Sequence, residues 1–280
     1  MNSLEKEFCN SFEKEVERTI KRFKLFNKKE PLVVAISGGK DSMTILYLLK
    51  KLGYNIKALT IDLLIGEWSK ENLDNTKAFC LELGVPLKVV SIRESCGGSI
   101  CYIRAKVKEK KDLKNCTICG TIRWSLLNKE ARPLGGVLVT GHNLDDEAQT
   151  ILMNLLKNNL GMMSSWGAKS KWLDKKFLPR AKPLFLSLED DIRKYSKLMK
   201  FPVVYDNCPC STESFRRRLK ETVNRLLSGE EKLQIVELGL KLFPGMFTLD
   251  KTEMKYCNEC GEIARREICK SCEILGLIKS

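Results

Sequence analysis

Apolar residues recur along the chain in two distinct periods. Phe12, Val16, Ile20 and Phe23 fall at helical spacing and predict an amphipathic helix whose apolar face packs on a core. Residues 32–36 then form a continuous apolar run, as expected of a strand buried on both faces. Further β-rich segments at 55–61, 86–92, 136–140 and 202–205 alternate with helical patterns at 43–52, 72–83, 121–131, 145–156 and 188–199. Strands alternating with helices predict an α/β fold with a doubly wound parallel sheet, and ligands in such sheets collect beyond the carboxyl ends of the strands. Residues 213–242 read as one or two helices, and Pro244-Gly245 marks a boundary before a cysteine-rich tail. The organisation expected is an N-terminal helical segment over 1–30, a nucleotide-type α/β domain over 31–243 and a small C-terminal domain over 244–280. The charged run 106–114 reads as a solvated helix face or a mobile loop.

Composition narrows the class. At 280 residues and 43% hydrophobic, the chain is long enough for one large domain with an appendage. No apolar run approaches the roughly 20 residues that span a bilayer. The opening MNSLEKEFCN has no signal-peptide core, so a cytoplasmic protein without membrane contact is expected. The formal charge of +14 points to a polyanionic partner, because Lys and Arg clusters gain affinity by releasing counterions from phosphates; a merely basic cytosolic protein is the alternative. Much of the excess lies at 104–114, 169–182 and 216–220. Trp166 and Trp172 interleave with the second cluster, which suits phosphate contact plus base stacking, although core packing explains a lone tryptophan equally well. Twelve cysteines in a reducing compartment are read for metal or redox chemistry rather than for disulfides.

Between the first strand and its helix stands Ser37-Gly38-Gly39-Lys40-Asp41-Ser42. Wrapped round a helix N-terminus, such a turn presents unpaired N–H groups at the positive end of the helix dipole, and its glycines let a phosphate come close. An ordinary turn with Asp41 or Ser42 as N-cap accounts for one residue of the set, not for all of it. Neither the Walker A spacing nor G-x-G-x-x-G fits. The hexapeptide, in this strand–turn–helix setting, resembles the PP-loop of the N-type ATP pyrophosphatases, which split ATP between its α- and β-phosphates and transfer AMP to a substrate oxygen. The resemblance implies a Rossmann-like PP-loop domain with ATP as co-substrate. It places Ala35, Ser37, Gly38, Gly39, Lys40, Asp41 and Ser42 near phosphate or ribose and Ile61 near adenine. Lys40 would neutralise charge on the leaving pyrophosphate, and Asp41 would assist Mg²⁺.

Cys116 and Cys119 form a CxxC just before a predicted helix, and Cys208-Pro209-Cys210 follows the last predicted strand. A doubly wound sheet delivers both segments to the edge that carries the phosphate loop. Three thiolates suit a 4Fe–4S cluster with one iron open to an outside ligand; a zinc site, a redox-active pair or buried unligated thiols are the other readings. The order of SGGKDS, CxxCG, GHNLDDEA over 141–148, PRAKPL over 179–184 and Cys208-Pro209 is similar to the PP-loop tRNA thiolation enzymes of the TtuA/TtcA class, closest to the TtuA-type 2-thiouridine synthetases. That resemblance spans nearly the whole chain. It implies Cys116, Cys119 and Cys208 as cluster ligands, Gly141 near the nucleotide and Asp146 in the catalytic centre. Two positions depart from the family. Arg123 stands where lysine is common, keeping the charge while surrendering proton transfer, and Cys210 stands where an aromatic residue is usual, which leaves Cys208 and Cys210 both open as third ligand. Phe8-Cys9 resembles only the last stub of the family's N-terminal zinc finger, which makes 1–30 a truncated remnant.

The tail carries Cys257-x2-Cys260-x8-Cys269-x2-Cys272, paired knuckles at the separation a tetrahedral Zn²⁺ requires. Four thiolates leave no open position, so this zinc ribbon is expected to be structural, with Arg265, Arg266 and Lys270 beside it available for RNA phosphates. His142 is the only histidine and reads as a structural or nucleotide-site residue rather than a catalyst. Cys9, Cys80, Cys96 and Cys101 have no partner at useful spacing and are expected to be buried.

These readings together imply an ATP-dependent tRNA sulfurtransferase. Uridine's C2 oxygen would be adenylated with release of pyrophosphate, and sulfur carried on the open iron would then displace AMP. The implied partners are tRNA and a sulfur source, either free sulfide or a ubiquitin-like thiocarboxylated carrier protein, with a homodimer left open. The rivals are 2-thiocytidine formation, nitrogen transfer by another PP-loop enzyme, and a non-catalytic zinc-ribbon RNA-binding protein.

Overall fold

The structure is a computed structural model that describes residues 1–170, 176, 178–206, 208–211, 215–246, 255–264 and 266–279. In chain order its elements are α1 (Ser3–Arg22), β1 (Leu32–Ala35), α2 (Lys40–Lys51), β2 (Ile56–Asp62), α3 (Gly66–Glu82), β3 (Leu87–Ser91), α4 (Ile92–Cys96), α5 (Ile100–Lys110) and α6 (Asn115–Ala131). There follow β4 (Val137–Val139), α7 (Leu144–Leu156), β5 (Arg180–Ala181), α8 (Glu189–Leu198), α9 (Phe215–Leu226), α10 (Gly229–Met246), β6 (Lys255–Tyr256), β7 (Ile263–Ala264) and α11 (Lys270–Lys279).

The apolar run at β1 has the two-sided burial that its sequence predicts. Leu32 and Val34 enter one core, while Val33 joins Leu59 and Leu138 in another on the opposite face. β1 pairs in parallel with β2 on one side and β4 on the other, and the five-stranded sheet has the order β3-β2-β1-β4-β5. This is a doubly wound parallel sheet, and its strand order reverses at β1/β4, where such folds open a crevice for ligand. α1 begins in a capping box between Asn2 and Glu5 and buries Cys9, Phe12, Val16 and Ile20, with Phe12 lying 4.8 Å from the Tyr195 ring.

Two expectations are corrected. Residues 202–205 form no strand; just past Phe201 the backbone is irregular, with Val203 N–H bonded to the Phe201 carbonyl. The fifth strand is instead the short β5, parallel to β4 through Leu138↔Arg180 and Val139↔Ala181. α2, α3 and α6 also begin earlier than periodicity suggests: α6 starts at Asn115 and carries both cysteines of the CxxC in its first turns, while α10 continues through Pro244-Gly245 to Met246. The charged run at 106–114 starts as the last turns of α5.

A third apolar cluster binds the tail to the body. Ile100, Ile103 and Val107 of α5, Ile118 and Ile122 of α6 and Ile274 of α11 are all buried in it. Ion pairs Lys111–Glu273 (2.7 Å) and Arg132–Glu262, with Lys176 donating to the Gly261 carbonyl (2.7 Å), fasten its rim. Ile274 is 1% exposed, so Ile274→Ala should cost about 2–5 kcal/mol in urea unfolding, whereas Ile268→Ala, at a site 43% exposed, should stay within about 0.5 kcal/mol of wild type.

Candidate active site

β1 delivers the chain into a turn that only glycine can make. Gly38 has φ +80°, and a Cβ there would meet Asn72 Oδ1 at 2.7 Å. Gly39 is the N-cap of α2 and supplies no side-chain bond, so the N–H groups of the first turn face outward uncapped. The capping role that Asp41 or Ser42 would have in an ordinary turn is therefore absent. Ser42 braces the loop instead: its hydroxyl accepts from Ser37 N–H (3.1 Å) and donates to the Gly39 carbonyl (2.9 Å). This is the arrangement that receives a phosphate.

The loop lines a cavity of about 380 Å³ together with the ends of β2 and β4 and one face of α6. Ala35, Ser37, Gly39, Asp41, Ser42, Ile61, Gly141, Asp146 and Arg123 all reach it, so most of the residues singled out from sequence meet in one place. Gly38 and Lys40 do not line it. Gly141 packs so tightly on α2 that a Cβ would stand 2.9 Å from Asp41 C and from Ser42 N. Thr60, Trp68, Asn72, Trp124 and Asp206 complete the walls and were not indicated by any motif.

Asp41 and Asp146 enter the cavity from the first turns of α2 and α7. Asn143 joins them: it caps α7 by accepting from Asp146 N–H (3.0 Å), and its Nδ2 donates to Asp41 Oδ1 (3.0 Å). The N-x-x-D capping pattern was readable in the sequence, but the second bond depends on the fold. Burial pushes the Asp41 carboxyl up, the Asp146 charge adds to the rise, and Lys40 and Asn143 oppose it. Two facing carboxylates are a suitable oxygen donor pair for Mg²⁺.

Lys40 points behind the loop, its Nζ 3.0 Å from Asp41 Oδ2 and 2.9 Å from Glu189 Oε1. Glu189 also holds Lys220 at 2.6 Å. Burial alone would raise Glu189, but the two ammonium groups outweigh it and hold its pKa down to about 2. No sequence motif marked Glu189.

Cys119 and Arg123 lie one turn apart on α6, so the thiols begin where the cavity wall ends. Cys119 faces Cys116, Cys210, Arg123 and Arg104, and Cys208 faces Cys119 and Cys210. Cys119, Cys208 and Cys210 pack against the same apolar cluster, while Cys116 is exposed. Burial raises the Cys119 and Cys208 thiols. The donor set is sulfur alone. It does not close to the 4.8 Å span of a single-ion site, and a multi-iron cluster sets its ligands farther apart than one ion does. Cys101, expected to be buried, is exposed and hydrogen-bonds Cys210; Cys96 is half-buried, and only Cys9 and Cys80 are buried as expected.

The four tail thiols do close: Cys257, Cys260, Cys269 and Cys272 have their sulfurs within 4.8 Å of one another, enough to hold a metal ion. Cys269 N–H donates to Cys257 Sγ (3.2 Å), and such N–H bonds outweigh burial to bring Cys257 down to about 6. Of the groups expected to meet RNA, Arg216 donates to the Asp146 carbonyl (3.2 Å) and to Thr150 Oγ1 (2.8 Å), which brings it to the site's edge. Trp166 packs on Phe185 and Phe243 as a core residue. Trp172 and Arg265 lie outside the described residues.

His142 lines the cavity, bonds Thr140 Oγ1 through Nδ1 (2.9 Å) and lies beside the Trp124 ring. Burial, then the cations Lys182, Arg216, Arg123 and Arg180, bring its pKa down from 6.5 to about 3. Burial beside these cations keeps the ring from taking up a proton. Because the unfolded chain binds the proton more readily, His142 costs the fold stability as pH falls from 6.5 toward about 3. As the sole histidine it gives a single set of ring signals, and NMR should show them without titration from pH 8 down to about 4.

The PP-loop domain family model matches residues 10–227. Relatives include the tRNA-5-methyluridine(54) 2-sulfurtransferase of Pyrococcus horikoshii, 34% identical and spanning 100% of this chain and 89% of that protein. The cytoplasmic tRNA 2-thiolation protein 1 of Caenorhabditis elegans is 30% identical, over 96% of this chain and 73% of that one. Among solved structures, the U34-tRNA thiolase NcsA from Methanococcus maripaludis with its 4Fe–4S cluster superposes with a TM-score of 0.78 at 27% identity, covering 95% of this chain and 88% of that one. With this sheet, this loop and these relatives, the chain belongs to the PP-loop family, in the group of tRNA 2-sulfurtransferases and tRNA 2-thiolation proteins.

Proposed function

We propose that the protein is an ATP-dependent tRNA 2-thiouridine synthetase. The observation that carries the reading is an adjacency: the cavity's floor is an uncapped helix N-terminus built for phosphate, and Arg123 on its α6 wall stands one turn from Cys119, just beyond the cavity. Relatives named for tRNA 2-sulfur transfer, and a related thiolase carrying a 4Fe–4S cluster, support it.

A uridine C2 oxygen is a poor leaving group, so it must first be esterified. Attack of that oxygen on the α-phosphorus expels pyrophosphate toward Ser37–Ser42, where the N–H groups stabilise the charge that develops and Lys40 adds its own once it turns from Glu189. Asp41 and Asp146 would hold Mg²⁺ against the phosphates. Cys116, Cys119 and Cys208 would hold a 4Fe–4S cluster, and when bound it supplies an open iron that presents sulfur to C2. Arg123 keeps a fixed positive charge between thiols and cavity, suited to holding an anion and not to moving a proton. The uridine oxygen departs on AMP, so hydrosulfide, uridine and ATP become 2-thiouridine, AMP and pyrophosphate without net redox change. The tail thiols would hold a structural Zn²⁺ that fixes α11 against α5 and α6. The +14 charge suits a tRNA substrate. Sulfur would arrive as free sulfide or on a thiocarboxylated carrier protein.

Anaerobically purified protein should contain about four irons and one zinc per chain, and Cys119→Ala should lose the iron and the thiolation of tRNA while keeping the zinc. Two zincs and no iron would refute the sulfur-transfer chemistry, and a nitrogen-transferring enzyme would retain its activity in Cys119→Ala. Asp146→Asn should slow tRNA-dependent pyrophosphate release by about 100-fold, measured with a coupled phosphatase assay.

A further inference from the structure

Lys40 is the loop's only cation, yet it is 9% exposed and lies behind the cavity while its neighbours Gly39, Asp41 and Ser42 line it. We infer that Glu189 and Lys220 are positioning residues for this lysine: Glu189 holds Lys40 behind the loop, and Lys220 takes over Glu189 when Lys40 turns to the phosphates. The inference rests on the ATP reading above.

Glu189 is fixed in place. It opens α8, its backbone N–H donates to Asp145 Oδ2 (2.8 Å), and Asp145 Oδ1 is itself pinned by the buried Lys232 ammonium at 2.7 Å. Its carboxylate is 11% exposed, and a buried charge left without a partner is strongly penalised. Lys40 therefore cannot leave unless another cation stays behind. Lys220 is that cation: it reaches both oxygens, Oε1 at 2.8 Å and Oε2 at 2.6 Å, whereas Lys40 reaches Oε1 at 2.9 Å. Arg193 stands farther off, at 3.8 Å, and half-exposed. Lys40 also keeps Asp41 (3.0 Å) as a companion at the cavity side, so it has a partner on the way out. Lys220 sits on α9, which enters the site beside Asp146 through Arg216 and follows the Cys208–Cys210 segment.

Pyrophosphate and a non-hydrolysable ATP analogue, titrated calorimetrically into the full chain, test this. Lys220→Met should weaken both by about tenfold or more, because freeing Lys40 now strands Glu189. Glu189→Gln removes the charge that must be compensated, so the double variant should bind within about threefold of Glu189→Gln alone. Lys220→Arg, which keeps the cation, should bind like wild type. Unchanged affinity in Lys220→Met, or a loss that persists in the double variant with its thermal unfolding intact, overturns the inference. A folded wild type that binds neither ligand overturns the ATP reading itself.

Discussion

Helix α2 starts without a side-chain cap, and that omission shapes its surroundings. Uncapped N–H groups at the carboxyl edge of a central strand must meet solvent or an anion, so everything nearby is built to leave them room. Gly38 turns through φ +80° against Asn72, Gly141 lies flush on Asp41 and Ser42, and Ser42 spends its hydroxyl inside the loop. The strand order supplies the space, because β2 and β4 depart to either side of β1.

Around this opening, acids are matched to lysines from distant parts of the chain. Asp145 pairs with Lys232, Glu147 with Lys182 and Glu189 with Lys40 and Lys220. Such buried pairs add little net stability over an apolar packing but punish any misplacement, which suits a site that must hold two helix N-termini and a thiol face in register. Burial raises the Glu147 carboxyl even with Lys182 beside it, showing how far water is excluded. Arg123, by contrast, reaches the cavity with no carboxylate in ion-pair contact among the described residues, which leaves its charge toward a ligand.

What could be read from the sequence followed its local physics. SGGKDS declared its turn through two glycines, the alternation of strands and helices gave the sheet, and Cys-x2-Cys spacing gave the tail's closed set of thiols. Long-range geometry was not legible. β5 is a two-residue strand with no run of β-formers, while 202–205 has such residues and yet forms no strand. Glu189 looked like any acidic residue in a helix's first turn, and its meeting with Lys40 spans 149 positions. Cys101 was taken for a core residue because an isolated thiol is usually buried, but it sits on the outer face of α5 near Cys210.

The central claim is that nucleotide and thiol-bound metal sit side by side, with Arg123 between them. Crystals grown anaerobically with a non-hydrolysable ATP analogue, measured at the iron absorption edge, test it most directly. The account predicts anomalous iron density held by Cys116, Cys119 and Cys208, with the analogue's phosphates on the first turn of α2 and its α-phosphate facing the metal across Arg123. Iron held elsewhere, or phosphates bound outside the Ser37–Ser42 loop, would contradict it.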